Sequence, residues 1–547
     1  MRQKPYIDIP DTSDSCWSGW PAIGQALLAR IRQLEKERVV VTVECYPGTY
    51  TGLDMSALKA SLQPDVICRA EDLYREEGEI RQLGKQLFST SPEPETKFPP
   101  DLSDFYDEAK LASLHDTIGS LTSGIILIHG VGAHQVWEPD LLVYSDLSRW
   151  ELLQRMRRQE VGNLGLDNRQ TAFSQRLAWA YYLDWPLANT IKRRLIPVCD
   201  FFLETNNWQQ PKLAAGDAIR SGLELATRQP LTLAPFFDPS LWDQPVERTA
   251  TNDLPATFPL DLEEDNLLFR IDGELVEFPA LNVWYYLPGA FAGISEEDKK
   301  DPILTLRMEH FDRRQLEWHE MVYYPSDAAF RSLFPALPVM NHTDHYLFLR
   351  TGPEAELLAG LKSTSLSGTD SPLDNLPIPD KKVPRKLLDD LTPKRLTCLS
   401  VPAGHMHSMG IDVEMIHLST GPHLWRQLLQ RKQQPGAALT QEQLSACIQE
   451  PPNGAMRVQS LHASGTETRG VHWHYWEVKG GSVRGLPSGR LRVLCHLGGA
   501  SVSLLNPISE PKSLEAFQLI ILPASCEATL RAQGTASASI LLIEMTP

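Results

Sequence analysis

Hydrophobic positions along the chain follow two rhythms, with the change near residue 230. Before it, residues 23–38 carry apolar side chains at helical spacing, and residues 39–43 form an uninterrupted β-branched run closed by Pro47 and Gly48. Two more apolar runs, 125–128 and 141–144, are spaced to leave room for helices, and residues 149–159 and 171–203 read as helical. Continuous apolar runs alternating with helices predict a parallel sheet covered on both faces. After Pro230 the runs shorten (268–271, 283–287, 346–349) and are separated by Gly and Pro, the texture of an all-β region. Further short strands are expected at 490–497, 500–504, 518–522 and 539–544. Residues 363–386 read as an exposed loop, and the polar bridge 427–454 leaves room for a short helix at 440–449. The pattern predicts three units: an α/β unit over 1–230, a β unit over 231–426 and a smaller β unit over 427–547.

Length and composition agree with several packed cores. The chain has 547 residues, 42% of them hydrophobic and 22% charged, the balance of a folded globular protein. Its formal charge of -17 repels phosphate backbones, and no basic run interleaved with aromatics offsets this, so nucleic acid is not an expected partner. The eight cysteines lack CxxC spacing and read as free thiols, which leads to the expectation of a cytoplasmic protein. Residues 1–19 lack the apolar core of a secretory signal, and no apolar stretch approaches the roughly 20 residues that span a bilayer, so no membrane partner is expected.

The most specific chemical signal is Val401-Pro402-Ala403-Gly404-His405-Met406-His407, a turn-and-strand pattern that directs its last histidine into the mouth of a cupin barrel. On this segment the chain resembles the class I mannose-6-phosphate isomerases, whose matching histidine binds zinc. Leu233 to Trp242, with Phe236-Phe237-Asp238-Pro239, is similar to a segment of bacterial fusion members of that family. The resemblance then departs from the family in an informative way. The family's first metal segment, a strand ending in Gln-Val-His-Pro, falls on Val322-Tyr323-Tyr324-Pro325, so Val322 and Tyr324 stand where two ligands belong. The family glutamate falls at or beside Asp344, with His345 as the neighbouring imidazole. Zinc takes four N, O or S ligands. The resemblance therefore implies zinc at His407 and Asp344, with part of the ligand set lost and His319, His342 and His405 as further imidazoles in the region. Besides ligation, His407 has the reading of a barrel histidine bonded to a neighbour, and Asp344 that of a solvated carboxylate.

Three other constellations carry less specific signals. His472-Trp473-His474 places two imidazoles on one face of a strand, near Glu477, and resembles the aromatic and basic strand of the isomerase family. Cys45-Tyr46-Pro47-Gly48 lies at the strand-to-helix turn where a phosphate-binding loop would be, without the G-x-x-x-x-G-K-[ST] pattern. Residues 140–158 look like the strand and arginine-bearing helix of nucleoside-kinase-like folds. There Asp146 and Arg149 are candidate ligand-binding residues for a phosphorylated molecule, because an arginine fork suits phosphate. Their alternative reading is a helix N-cap and a solvated helix face, and Lys192, Arg193 and Arg194 read as a solvated basic stretch.

These readings give an N-terminal parallel-sheet α/β domain, P-loop-kinase-like without a Walker A motif, followed by cupin β-barrel or jelly-roll domains. What the resemblance implies is aldose–ketose interconversion of a hexose 6-phosphate through a cis-enediol, with a metal ion holding the sugar oxygens. The replaced ligands at 322 and 324 set beside it a non-catalytic protein that binds a sugar or sugar phosphate. A P-loop kinase fused to a sugar-binding domain is disfavoured by the missing phosphate loop.

Overall fold

The computed structural model describes residues 6–233, 260–291, 304–311, 321–339, 341–361, 388–408, 410–421, 424, 427–428, 443, 446–448, 452–462 and 465–546. The protein is mixed α/β with several sheets. Residues 363–386, most of the 233–242 motif and of the 440–449 helix, and His319 lie outside the described residues.

In the N-terminal part, five strands run parallel: Arg38–Cys45, Val66–Arg69, Gly124–Gly130, Leu141–Asp146 and Phe201–Glu204. Numbered in chain order they lie side by side as 2-3-1-4-5, and Lys212–Ala215 and Cys16–Ser18 add an antiparallel margin. Arg38–Cys45 is buried at every position after its first, which requires cover on both faces and explains its unbroken β-branched run. Successive strands are laid down first on one side of Arg38–Cys45 and then on the other. Its C-terminal end is therefore the crevice where open α/β sheets take ligands.

Two sequence expectations fail locally. Residues 171–203 are not one helical stretch: Phe173–Trp179 passes through a π-helical turn, Ala180–Asp184, into Trp185–Leu195, and the chain then enters the strand Phe201–Glu204. Residues 283–287, expected as strand, lie largely in the helix Leu281–Tyr286. Residues 201–203 and 283–287 are short apolar runs, for which burial is legible but periodicity does not separate helix from strand.

The segment after residue 260 packs on the α/β sheet although its texture groups it with the β region. Strand Tyr6–Asp8 pairs in parallel with Asn266–Ile271, which forms a hairpin with Glu274–Pro279. Phe278 from that hairpin lies against Phe202 with ring centroids 4.7 Å apart. Burying two aromatic rings against each other is worth more than their area alone.

Beyond residue 304 the long strand Thr343–Leu361 organises a sheet by pairing with Ile411–Ser419, Thr397–Pro402, Leu388–Leu391 and His407–Ser408. At the C-terminus a five-stranded and a four-stranded sheet face each other. Leu494, Ile540 and Leu542 from one share a core with Val502, Leu504 and Leu530 from the other, the arrangement of a sandwich. Phe330 and Phe334, on the helix Asp327–Leu333 and just beyond it, meet Tyr182 and Phe88 of the N-terminal part, each pair at 6.3 Å. The N-terminal and β parts are thus joined by aromatic packing.

Candidate functional site

Strand alternation builds the site. Along the chain into Thr343–Leu361, His342, Asp344 and Tyr346 occupy alternate positions and share a face. The neighbouring strand Ile411–Ser419 pairs Ser419 with Asp344 and His417 with Tyr346, which brings two more polar side chains onto the same face. His407 arrives from the turn after Ala403-Gly404, where Gly404 adopts a left-handed φ of 94° and its N–H donates to the Tyr324 carbonyl at 2.8 Å.

The result is a buried hub of imidazoles around one carboxylate. Asp344 is 1% exposed, with its Oδ1 2.9 Å from His417 Nε2 and 3.1 Å from His342 Nε2, and the Ser419 hydroxyl donates to the same oxygen. Asp344 Oδ2 lies 3.5 Å from His407 Nε2 and 3.4 Å from the Tyr346 hydroxyl oxygen, which is 2.7 Å from His407 Nε2. Two rings hold the imidazoles from behind: Tyr324 stacks on His342 at 3.6 Å and Tyr346 on His417 at 4.6 Å. Burial pushes the Asp344 carboxyl up, but the charges of His342 and His417 and the hydrogen bond from His342 hold it well below the usual carboxylate range. The hub therefore contains an ionised carboxylate in a site sealed from water.

Four positions named from the sequence meet here. Val322 is the antiparallel backbone partner of His407, Tyr324 covers His342, and Asp344 and His407 face each other. His342 joins them. His417, Ser419 and Tyr346 were not singled out, although His417-x-Ser419 and Asp344-x-Tyr346 carry the alternation that would have pointed to them. His345 faces the other way: its Nδ1 is 3.0 Å from the Ser400 hydroxyl, and burial lowers its pKa to about 3, so it is a neutral structural group. His405 turns to the Gly454 carbonyl, at 2.6 Å. Asp344, read alternatively as solvated, is fully enclosed.

Among the solved structures this chain resembles are mannose-6-phosphate isomerases. The mannose 6-phosphate isomerase of Bacillus subtilis matches with a TM-score of 0.39 at 12% identity, over 58% of this chain and 99% of that one. The apo enzyme of Salmonella typhimurium matches with a TM-score of 0.34 at 7% identity, over 50% of this chain and 87% of that one. Residues 19–228 match the family profile of a Domain of unknown function (DUF8485). No curated protein matches the chain.

The zinc implied by the sequence resemblance does not fit the hub. Val322 offers no donor, Tyr324 is committed to stacking, and among the described residues no group of three or more His, Cys, Asp or Glu side chains is arranged to hold a metal ion. Asp344 Oδ1 already faces three proton donors.

In the N-terminal part, the candidate ligand residues are buried. Asp146 is fully buried and pairs with Lys192 Nζ at 2.9 Å, while its Oδ2 accepts from Asn282 at 3.0 Å. It does not cap the following helix; Ser148 does, accepting from the Glu151 N–H at 3.1 Å. Lys192, expected on a solvated face, is 4% exposed because it neutralises Asp146. Arg149 lies flat on the Trp185 ring at 3.4 Å and is buried rather than on a solvated face. The turn at 45–48 is where the sequence places it, between strand Arg38–Cys45 and helix Thr51–Leu62. It is filled by helix Arg149–Arg157: a Cβ on Gly48 would come within 2.0 Å of Leu152, and Arg155 donates to the Gly48 carbonyl at 3.1 Å. A phosphate cradle needs inward N–H groups and open space, and this turn presents a carbonyl to an arginine.

Two other side-chain pairs are structural. Cys45 Sγ is 3.5 Å from His129 Nε2, but burial drives the thiol far up and the imidazole down to about 3, which leaves a neutral pair and no thiolate nucleophile. His472 and His474 do share a face, with rings 4.2 Å apart, yet the nearby carboxylate is Glu544, 3.6 Å from His474 Nε2. Glu477 instead accepts from Ser539, at 2.8 Å.

Proposed function

We propose that this protein binds a hexose 6-phosphate on a cupin framework of mannose-6-phosphate isomerase type, and that it does so without metal-dependent isomerisation. One observation carries the reading: the four positions that the isomerase resemblance picks out, Val322, Tyr324, Asp344 and His407, stand together, and of the two replaced ligands Val322 has no donor and Tyr324 is a poor substitute for an imidazole. Aldose–ketose interconversion through a cis-enediol needs stabilisation of the developing oxyanion, which the metal supplies in the family the sequence resembles. With Val322 and Tyr324 in the ligand places, that stabilisation is lost. The α/β part serves as a packed partner of the β region, since its phosphate-loop position is filled by Leu152 and Arg155. Its strand order supports the kinase-like reading of its architecture, not nucleotide binding. The eight cysteines, all free and buried, support residence in a reducing compartment.

The test is calorimetric titration with mannose 6-phosphate and fructose 6-phosphate, run beside a coupled isomerase assay. Saturable binding without turnover is expected, and no binding of either sugar phosphate would overturn the reading. Turnover that is lost in His407→Ala would establish an active isomerase in its place.

A further inference from the structure

The hub around Asp344 has a feature that neither ordinary metal ligation nor ordinary solvation explains. An ionised carboxylate has about four acceptor sites and no proton to give. Oδ1 faces His342 Nε2, His417 Nε2 and the Ser419 hydroxyl together, so each imidazole that hydrogen-bonds to it does so through an Nε2–H. A nitrogen in that tautomer has no lone pair for a cation. His407 is held the other way round. Its Nδ1 lies 3.2 Å from the His405 carbonyl, which can only accept, so Nδ1 carries the proton and Nε2 carries the lone pair. That lone pair is met by the Tyr346 hydroxyl at 2.7 Å. These tautomers follow from the geometry of the partners.

We propose that N–H and O–H protons of this chain take the place of the cation: His342, His417 and Ser419 donate to Asp344 Oδ1, Tyr346 donates to His407 Nε2, and the network holds the strands of the site together without a metal. This deepens the reading of a metal-independent sugar-phosphate binder, on which it rests for its functional meaning, though it is tested separately. The two tyrosines explain why the network keeps its geometry. Tyr324 on His342 and Tyr346 on His417 fix the ring planes, so neither imidazole can swing to present its nitrogen elsewhere without losing a stacked contact. Enclosure adds to this. His342, Asp344 and His407 are each 1% exposed, so a hydrated cation would have to shed its water and displace donors already bonded in a low-dielectric site.

The experiment uses the full chain, purified without chelator, with metal content measured by mass spectrometry and thermal unfolding followed with and without EDTA. The proposal expects sub-stoichiometric zinc, manganese, iron and cobalt and an unfolding temperature that EDTA leaves unchanged. Near one equivalent of any of these metals, removed by EDTA with a fall in unfolding temperature, overturns it. Tyr346→Phe and Ser419→Ala, which remove one hydroxyl each and keep the ring or the backbone, supply a second readout. The proposal expects Co²⁺ titration of the wild type to give no ligand-field absorption bands and the double variant to gain them, because its freed lone pairs become available. Tetrahedral Co²⁺ bands already present in the wild type at low equivalents overturn it. Because metal content and Co²⁺ spectra do not involve sugar, loss of the sugar-phosphate reading leaves this outcome readable, and the reverse also holds.

Discussion

At the scale of single residues, the protein buries ionisable groups in two opposite ways, and each gives a distinct pH signature. Asp344 is held ionised by the donors that meet its Oδ1, so Asp344→Ala leaves His342, His417 and Ser419 facing a cavity with nothing to accept from them. Removing one partner of a buried charged network costs about 3–5 kcal/mol, and urea unfolding of the variant is expected to show a loss of that order. Asp54 is the opposite case. Burial raises its pKa to about 7, only partly offset by the charge of Arg155. Its folded value lies above the unfolded value of about 3.9, so its contribution to stability is fully present below about pH 4 and is lost as pH rises through about 7. Asp54→Asn is therefore expected to be more stable than the wild type at pH 8, by an amount on the order of a few kcal/mol that shrinks towards pH 4. Thermal unfolding of both proteins across that range checks this, and a gap independent of pH would contradict it.

At the scale of elements, the strands were legible and their partners were not. The β-branched run 39–43 lies inside strand Arg38–Cys45, and 125–128 and 141–144 fall in Gly124–Gly130 and Leu141–Asp146, because continuous apolar runs are what strands buried on both faces require. His407 and Asp344 were visible as candidates because a motif and an alignment pointed at them. His417 and Ser419 were hidden because their role depends on which strand lies beside Thr343–Leu361, and register between distant strands is not encoded in either strand alone. The same limit explains Asp146 and Lys192. Each reads as a surface group in its own helix or strand end, and only the packing of Trp185–Leu195 against the sheet makes them a buried pair. Helix Arg149–Arg157 gives a testable case. Arg155 is fully buried, donates to the carbonyls of Gly48 and Thr205 at 3.1 and 2.6 Å, and lies over the Tyr50 ring at 3.9 Å. Lysine cannot reproduce this planar fork, so Arg155→Lys is expected to destabilise the α/β part by about 1–3 kcal/mol despite retaining charge. Addition of ATP is expected to leave the unfolding temperature of either protein unchanged.

At the scale of the whole molecule, the boundary at residue 230 marks a change of texture but not the edge of packing. Strand Tyr6–Asp8 finds its partner in Asn266–Ile271, Phe278 covers Phe202, and Asn282 bonds to Asp146. A fragment ending at residue 230 would expose that apolar surface, whereas one ending at residue 291 would keep it covered by the hairpin and helix. The longer fragment is expected to unfold cooperatively at a higher temperature, and equal unfolding temperatures would show that the 260–291 segment contributes nothing to the α/β part. The account as a whole turns on where the protons sit around Asp344. Side-chain nitrogen NMR of selectively ¹⁵N-histidine-labelled protein, assigned with His342→Gln, His407→Gln and His417→Gln, reads this directly. Protonated Nε2 on His342 and His417 and protonated Nδ1 on His407, all unchanged by EDTA or added zinc, is the predicted result. Deprotonated, metal-shifted Nε2 signals on these residues that revert on chelation would contradict it.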